Sequence, residues 1–202
     1  MSDFELKTIN AKSVLFVMAV PMEYGDALQA RIKPLMCGVG PVESAMNVAK
    51  ALSEMPAKPD LIVSLGSAGS ATLEQGEVYQ VESVFYRDMD ASPLGFTKGV
   101  TPFVDHDIAI SLTCPLSIAT ARLSTGANVV SGAAYDSIDA DMVDMETFPI
   151  KRVADTFNVP LMGLRGISDG KEELSKYEDW TAYLADIDIK LASAVDELGN
   201  AL

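Results

Sequence analysis

Three acidic residues stand just past apolar runs that read as buried strands: Glu23 after residues 13–20, Glu146 at the end of 142–146, and Asp169 after 159–167. If those strands run parallel, the three carboxylates point into one crevice beyond the strand ends, where open α/β sheets bind ligands. Carboxylates gathered in a partly dry cleft repel and desolvate one another, which pushes their proton affinities apart and equips one as acid and another as base. Taken singly, each also fits a helix N-cap or a first-turn acid favoured by the helix dipole. A fourth feature, Gly66-Ser67-Ala68-Gly69, ends the apolar run 61–65. Without a Cβ at its glycines the backbone can turn tightly there or approach a ligand closely. It has neither the lysine and spacing of a P-loop nor the dinucleotide fingerprint. Arg165, inside an apolar run four residues before Asp169, suits an ion pair with one of the carboxylates or a purely structural pairing. Tyr135, after a small-residue turn, suits core packing or a stacking platform for a flat ligand.

The elements that must position these residues alternate between strand and helix. The continuous apolar runs 13–20 and 59–65 read as strands buried on both faces, the kind found in parallel sheets. Between them, a short helix is expected at Asp26-Ala27-Leu28. A longer one opens at Val39-Gly40-Pro41, with Val42, Ala45, Met46, Ala49 and Leu52 as its apolar face and Pro56 beyond its end. Strand, helix and strand make a right-handed βαβ unit. Residues 76–86 read as a long strand, 87–107 as an extended loop, and 116–123 and 128–131 as two further strands. The strand 142–146 feeds a helix over 147–157, the run 159–167 is another buried strand stopping at Ser168-Asp169-Gly170, and an amphipathic helix over 180–198 closes the chain.

Bulk properties exclude several classes. With 202 residues and 49% hydrophobic content, one domain over 1–202 with a sizeable core is expected. Against 29 acidic residues stand 15 basic ones, a net charge of −14, with no basic cluster longer than Lys151-Arg152. Nucleic acids and anionic membranes are therefore not expected partners. No apolar run reaches membrane-spanning length, and acidic residues occupy the start where a secretory signal would be basic and then apolar, so a cytoplasmic protein is expected. Cys37 and Cys114 are too few for a disulfide framework or a zinc site, and no metal or cofactor is expected. The single histidine, His106, reads as a solvated loop residue.

A set of short motifs carries a resemblance. GVGP at 38–41, GSAG at 66–69, YRDMD at 86–90, VVSGAAY at 129–135, DMET at 144–147 and NVPLMGLRGISD at 158–169 resemble, in order, the nucleoside phosphorylase/nucleosidase superfamily, and within it the methylthioadenosine/S-adenosylhomocysteine nucleosidases. The resemblance implies an α/β fold, a three-layer α/β/α sandwich around a central mixed β-sheet. It implies hydrolysis of the N-glycosidic bond of a purine (adenine) nucleoside, without cofactor. Asp169 would protonate the purine N7, Met145 and Glu146 would hold the ribose, and Glu23 would orient or deprotonate the attacking water. Ser67, Ala68 and Gly69 would floor the sugar, Tyr135 stands where the family has a base-stacking phenylalanine, and the backbone at Asp136 would meet the base edge. Arg165 falls within the same motif as Asp169 and is counted with the substrate-binding set. The superfamily's phosphorylases carry an anion-gripping arginine two residues before the GSAG-like turn; here Ser64 stands there, which favours water over phosphate. A phosphate-dependent phosphorylase and a non-catalytic nucleoside-binding protein are the alternatives. The sequence departs from the family in a short connection over 31–38, in Ala133, where an aspartate is usual, and in Thr147-Phe148-Pro149 in place of small residues. The loop 88–103 corresponds to the family's dimer-forming loop, which implies a homodimer.

Overall fold

Alternation along one strand sets the layers. In β2 (Lys12–Met18), Val14, Phe16 and Met18 face one side of the sheet, and Leu15 and Val17 the other, all five essentially without exposure. The computed structural model describes residues 4–170, 172 and 177–202; residues 1–3, part of the acidic start, lie outside that set. Val14, Phe16 and Met18 pack with Val63 and Leu65 against α1 (Asp26–Gln29) and α5 (Leu184–Ala201). Leu15 and Val17 pack with Ile62 and Leu161 against α2 (Gly40–Glu54) and α3 (Thr147–Thr156). Each such side chain contributes about 1.5–3 kcal/mol by leaving water, so a strand buried on both faces anchors both helical layers. This is the α/β/α arrangement the sequence implies.

The sheet has nine strands among the described residues and is mixed. β1 (Lys7–Ile9) pairs antiparallel with β2, and the two-residue β3 (Leu35–Met36) pairs parallel with it. β2 lies parallel to β4 (Leu61–Gly69), which lies parallel to β9 (Leu161–Asp169). Beyond β9 the direction reverses: β5 (Val78–Tyr86) is antiparallel to β9, and β7 (Thr120–Thr125) and β8 (Met142–Asp144) follow parallel to β5. β6 (Ile110–Ser111) pairs with β5 as a short antiparallel edge. The end of β8 returns to β4 through the antiparallel pair Gly69 and Val143, so β4, β9, β5, β7 and β8 form a closed ring. The strand that leads to Glu146 ends at Asp144, two residues short of the expected 142–146, and is not parallel to those preceding Glu23 and Asp169. Ring closure, rather than parallelism, brings its end to theirs.

Four expectations are corrected. The buried face of α2 is Gly40, Ser44, Val48, Ala51 and Leu52, whereas Val42 and Met46 are 75% and 54% exposed. Ser44 can enter the core because its hydroxyl donates to the carbonyl of Gly40 at 2.8 Å. Residues 116–118 are not a strand; the buried side chain of Gln80 replaces the ladder, accepting from the Leu116 amide and donating to the Leu116 and Ile118 carbonyls. Residues 128–131 form no strand either. The closing helix is two: α4 (Tyr177–Thr181), then α5. Within α5, Asp188 is buried because its carboxylate accepts from the amides of Gly25, Ala27 and Leu28 and so caps α1. Among the described residues no helix is long and apolar enough to cross a membrane.

Candidate active site

The Gly66-Ser67-Ala68-Gly69 segment is strand, not turn: β4 runs through Gly69, and neither glycine has a positive φ. The glycines serve close approach. A Cβ on Gly66 would lie 3.2 Å from Glu23 Oε2, and one on Gly69 would lie 2.5 Å from Asp169 Oδ2 and still closer to the Tyr135 hydroxyl. Two carboxylates thus lie directly on the strand backbone, 3 residues apart in β4.

Glu23 reaches Gly66 from a 3₁₀ turn, Pro21–Glu23, whose proline fixes the chain's exit from β2. Its Oε1 accepts from the Ser67 amide at 2.7 Å and the Ser67 hydroxyl at 2.6 Å, while Oε2 is buried without a partner among the described residues. Burial pushes its pKa up; the Ser67 hydrogen bonds and the nearby Arg165 charge oppose this. Trp180 donates its indole N–H to the Ser67 hydroxyl oxygen at 3.0 Å, which fixes that hydroxyl as donor toward Glu23.

Glu146 occupies the N-cap position of α3, yet its side chain does not cap that helix. Its Oε1 accepts instead from the Gly40 amide at the start of α2, at 2.8 Å. The capping of α3 falls to Asp144, whose Oδ2 accepts from the Thr147 amide at 3.0 Å. Burial and the Asp144 charge push Glu146 up to about 7, against the pull of the Gly40 amide and Arg165. Asp169, at the end of β9, accepts from the Ser168 hydroxyl on Oδ1 at 2.7 Å and from the Tyr135 hydroxyl on Oδ2 at 3.3 Å. Burial raises its pKa too, and only these two hydroxyls oppose it.

These three carboxylates line one cavity of about 720 Å³, the size of a small-molecule site. Ser67, Ala68, Gly69 and Met145 share its wall, with Met22, Val39, Val129, Arg87 and Trp180. Beside it lies a much smaller space of about 10 Å³ bounded by Glu23, Ser64, Ser67, Glu146 and Arg165, room for about one water.

Three residues of the expected set fall elsewhere. Arg165 lies beneath the floor, 2% exposed, and pairs with Asp144 rather than with Glu23, Glu146 or Asp169, at 3.0 Å. It also donates to the Ser64 carbonyl and hydroxyl and to the Thr147 hydroxyl. A buried guanidinium needs a charge-bearing acceptor as well as carbonyls, and Asp144 is the carboxylate within reach. Tyr135 is off the cavity wall: its ring packs with Val130 and Val143 and its hydroxyl is taken by Asp169. Asp136 is exposed outside the cavity. His106 is half-buried rather than solvated; its Nε2 accepts from the Thr101 amide, away from the cavity. Among the described residues no three His, Cys, Asp or Glu side chains converge with metal-binding geometry.

Two wall residues carry no signal in the sequence pattern. Trp180 reads only as part of a helix face. Arg87 stands in the YRDMD motif without an assigned role; its guanidinium donates to the Ser124, Asp144 and Asn128 carbonyls and ties together the ends of β7 and β8.

Residues 24–198 match the sequence family described as the phosphorylase superfamily, and the chain belongs to it. Its fold is also that of solved structures at low identity. Futalosine hydrolase of Helicobacter pylori is 17% identical, with a TM-score of 0.79 over 94% of this chain and 97% of that one. The methylthioadenosine/S-adenosylhomocysteine nucleosidase of Colwellia psychrerythraea, solved with adenine, is 18% identical, with a TM-score of 0.77 over 97% of each chain. The Helicobacter pylori nucleosidase bound to butyl-thio-DADMe-Immucillin-A is 16% identical, with a TM-score of 0.79 over 94% and 98%.

Proposed function

From membership of the phosphorylase superfamily and the geometry of the cavity we infer that this chain is an N-glycoside hydrolase, cleaving an adenine nucleoside such as methylthioadenosine or S-adenosylhomocysteine. The observation that carries the reading is the convergence of Glu23, Glu146 and Asp169 on one cavity, with a one-water space against Glu23. Asp169 is the acid: it protonates the purine as the C1′–N9 bond breaks and the bonding electrons pass to the base. The ribose then carries oxocarbenium-like charge, which the neighbouring carboxylates stabilise. A water oxygen bonds to C1′, and Glu23 takes its proton. The products are the free base and the ribose still bearing its 5′ substituent, and the added atoms are those of one water.

The environments divide the two roles. Burial raises the pKa of both Glu23 and Asp169, but Glu23 is also held by a backbone amide, a hydroxyl and the field of Arg165, which pull it back toward its charged form. Asp169 has only two hydroxyls, which can accept as well as donate and so tolerate a protonated carboxyl. Glu146 and Met145, on the wall after β8, suit the ribose hydroxyls and its carbon face. Ser64 is buried and accepts from Arg165, so position 64, where the phosphorylases carry their anion-gripping arginine, presents no cation of its own to the cavity.

Base release from methylthioadenosine, S-adenosylhomocysteine, adenosine, inosine and futalosine, with and without phosphate, tests this reading. Adenine should appear without phosphate, and Asp169→Asn should lower kcat by roughly 10²–10⁴-fold. Release that requires phosphate would support the phosphorylase, and a nucleoside that raises the melting temperature without being cleaved would support a binding protein. Around the cavity mouth Met22, Val39 and Val129, and on α2 Val42 and Met46, are exposed. This apolar rim, with Leu94 and Phe103 on the long loop, supports a homodimer; a monomer in sedimentation at micromolar concentration would count against it.

A further inference from the structure

We propose that Tyr135 is a positioning residue for Asp169: its hydroxyl, lying over Gly69, holds carboxyl oxygen Oδ2 in both protonation states, donating to the carboxylate and accepting from the acid. The proposal rests on the reading of Asp169 as the proton donor. Three observations meet at this point. The hydroxyl stands 3.3 Å from Oδ2, and both groups are buried. The ring is clamped between Val130 and Val143, with Ala71 and Ile138 beside it, so the phenol has little freedom to swing away. Gly69 has no Cβ, and one built there would collide with both oxygens, so the strand leaves a slot that the pair fills.

The chemistry follows from the partners. A phenol can donate one hydrogen bond and accept others, so it can serve a carboxylate and a carboxylic acid in turn. Its bond to the charged form is the stronger of the two. Tyr135 therefore draws the Asp169 proton affinity down, against the burial that raises it. Burial and the Asp169 charge in turn keep the phenol protonated well above its ordinary 10, so it remains a donor throughout the working range. The other titratable and charged groups around Asp169 are Glu23 after β2, Asp144 and Glu146 at the end of β8, Arg87 after β5 and Arg165 on β9 itself. Of these, Arg87 also feels Tyr135, but Tyr135→Phe and 3-fluorotyrosine leave the ring neutral and in place, so a difference between variants reports on the hydroxyl contact.

The experiment compares wild type, Tyr135→Phe and Asp169→Asn by the pH dependence of kcat/KM for the cleaved nucleoside, and follows the Asp169 carboxyl by ¹³C NMR titration of the free protein. Removing the hydroxyl destabilises the carboxylate, so the proton is held to higher pH. An acid catalyst works while protonated, so the alkaline limb of the Tyr135→Phe profile should move up by roughly half to one pH unit, with the carboxyl titration moving equally. Site-specific 3-fluorotyrosine at position 135, a stronger donor of the same shape, should move both down; it also serves if the phenylalanine variant is poorly folded. Superimposable titrations in all three Tyr135 forms would overturn the proposal. Full activity in Asp169→Asn would instead overturn the acid role, and the proposal with it.

Discussion

Replacing Glu146 by Gln should stabilise the protein at pH 8 and leave it no more stable at pH 4. Burial and the charge of Asp144 raise the Glu146 pKa from 4.5 to about 7. Between those values the folded state holds a proton that the unfolded chain has released, so stability falls as pH rises through that window. At about 1.4 kcal/mol per pH unit, the ionised carboxylate costs the fold about 3 kcal/mol above pH 7. Gln is nearly isosteric and can still accept from the Gly40 amide at the start of α2. A neutral acceptor there is weaker by about 1 kcal/mol, which leaves a net gain of about 2 kcal/mol, or roughly 4–8 °C in melting temperature for a chain of this size. Below pH 4.5 the wild-type carboxyl is protonated in both states and the gain disappears. Chemical denaturation at pH 4, 6 and 8 measures the difference, and the titrating groups remote from Glu146 cancel between the two proteins. A gap that does not change with pH, or a Gln variant less stable than wild type at pH 8, would refute the reasoning. If Glu146 holds ribose, the stabilised variant should also be at least tenfold poorer in kcat/KM, an exchange of activity for stability.

Gly69→Ala should lose about 1–3 kcal/mol and most activity, because the new methyl overlaps Asp169 and Tyr135. Gly199→Ala, with nothing within 4 Å of its Cβ position, is the control and should be neutral or slightly stabilising in urea melts. Arg165→Met should cost about 3–5 kcal/mol by leaving Asp144 buried and unpaired. The double variant Arg165→Met with Asp144→Asn should recover part of that, and a double-mutant cycle showing no coupling would refute the pairing.

The chain's long buried strands and the places of α1, α2 and α3 could be read because their signals are local. The runs 14–18, 61–65 and 161–167 carry apolar residues on both alternating faces, with Ser64 and Arg165 as their polar members, as a strand covered on both faces requires, and Pro41 and Pro56 bracket α2 within two residues. Glu23, Glu146, Asp169 and the Gly66 to Gly69 segment were also legible, since each stands where an apolar run stops. What local pattern could not supply was direction and partnership. Strand β8 runs against β4, and only closure of the ring through Gly69 and Val143 carries Glu146 to the cavity. The choice of Ser44 and Val48 over Val42 and Met46 as the buried face depends on how α2 lies on the sheet. Arg165 found Asp144, and Tyr135 found Asp169, because a buried charge or hydroxyl takes the partner that tertiary packing brings within about 3 Å. Trp180 reaches Ser67 across 113 residues of sequence, a contact that exists only once α4 is laid beside β9. Residue types and apolar runs therefore determined which groups could do chemistry, while closure of the sheet decided which of them meet.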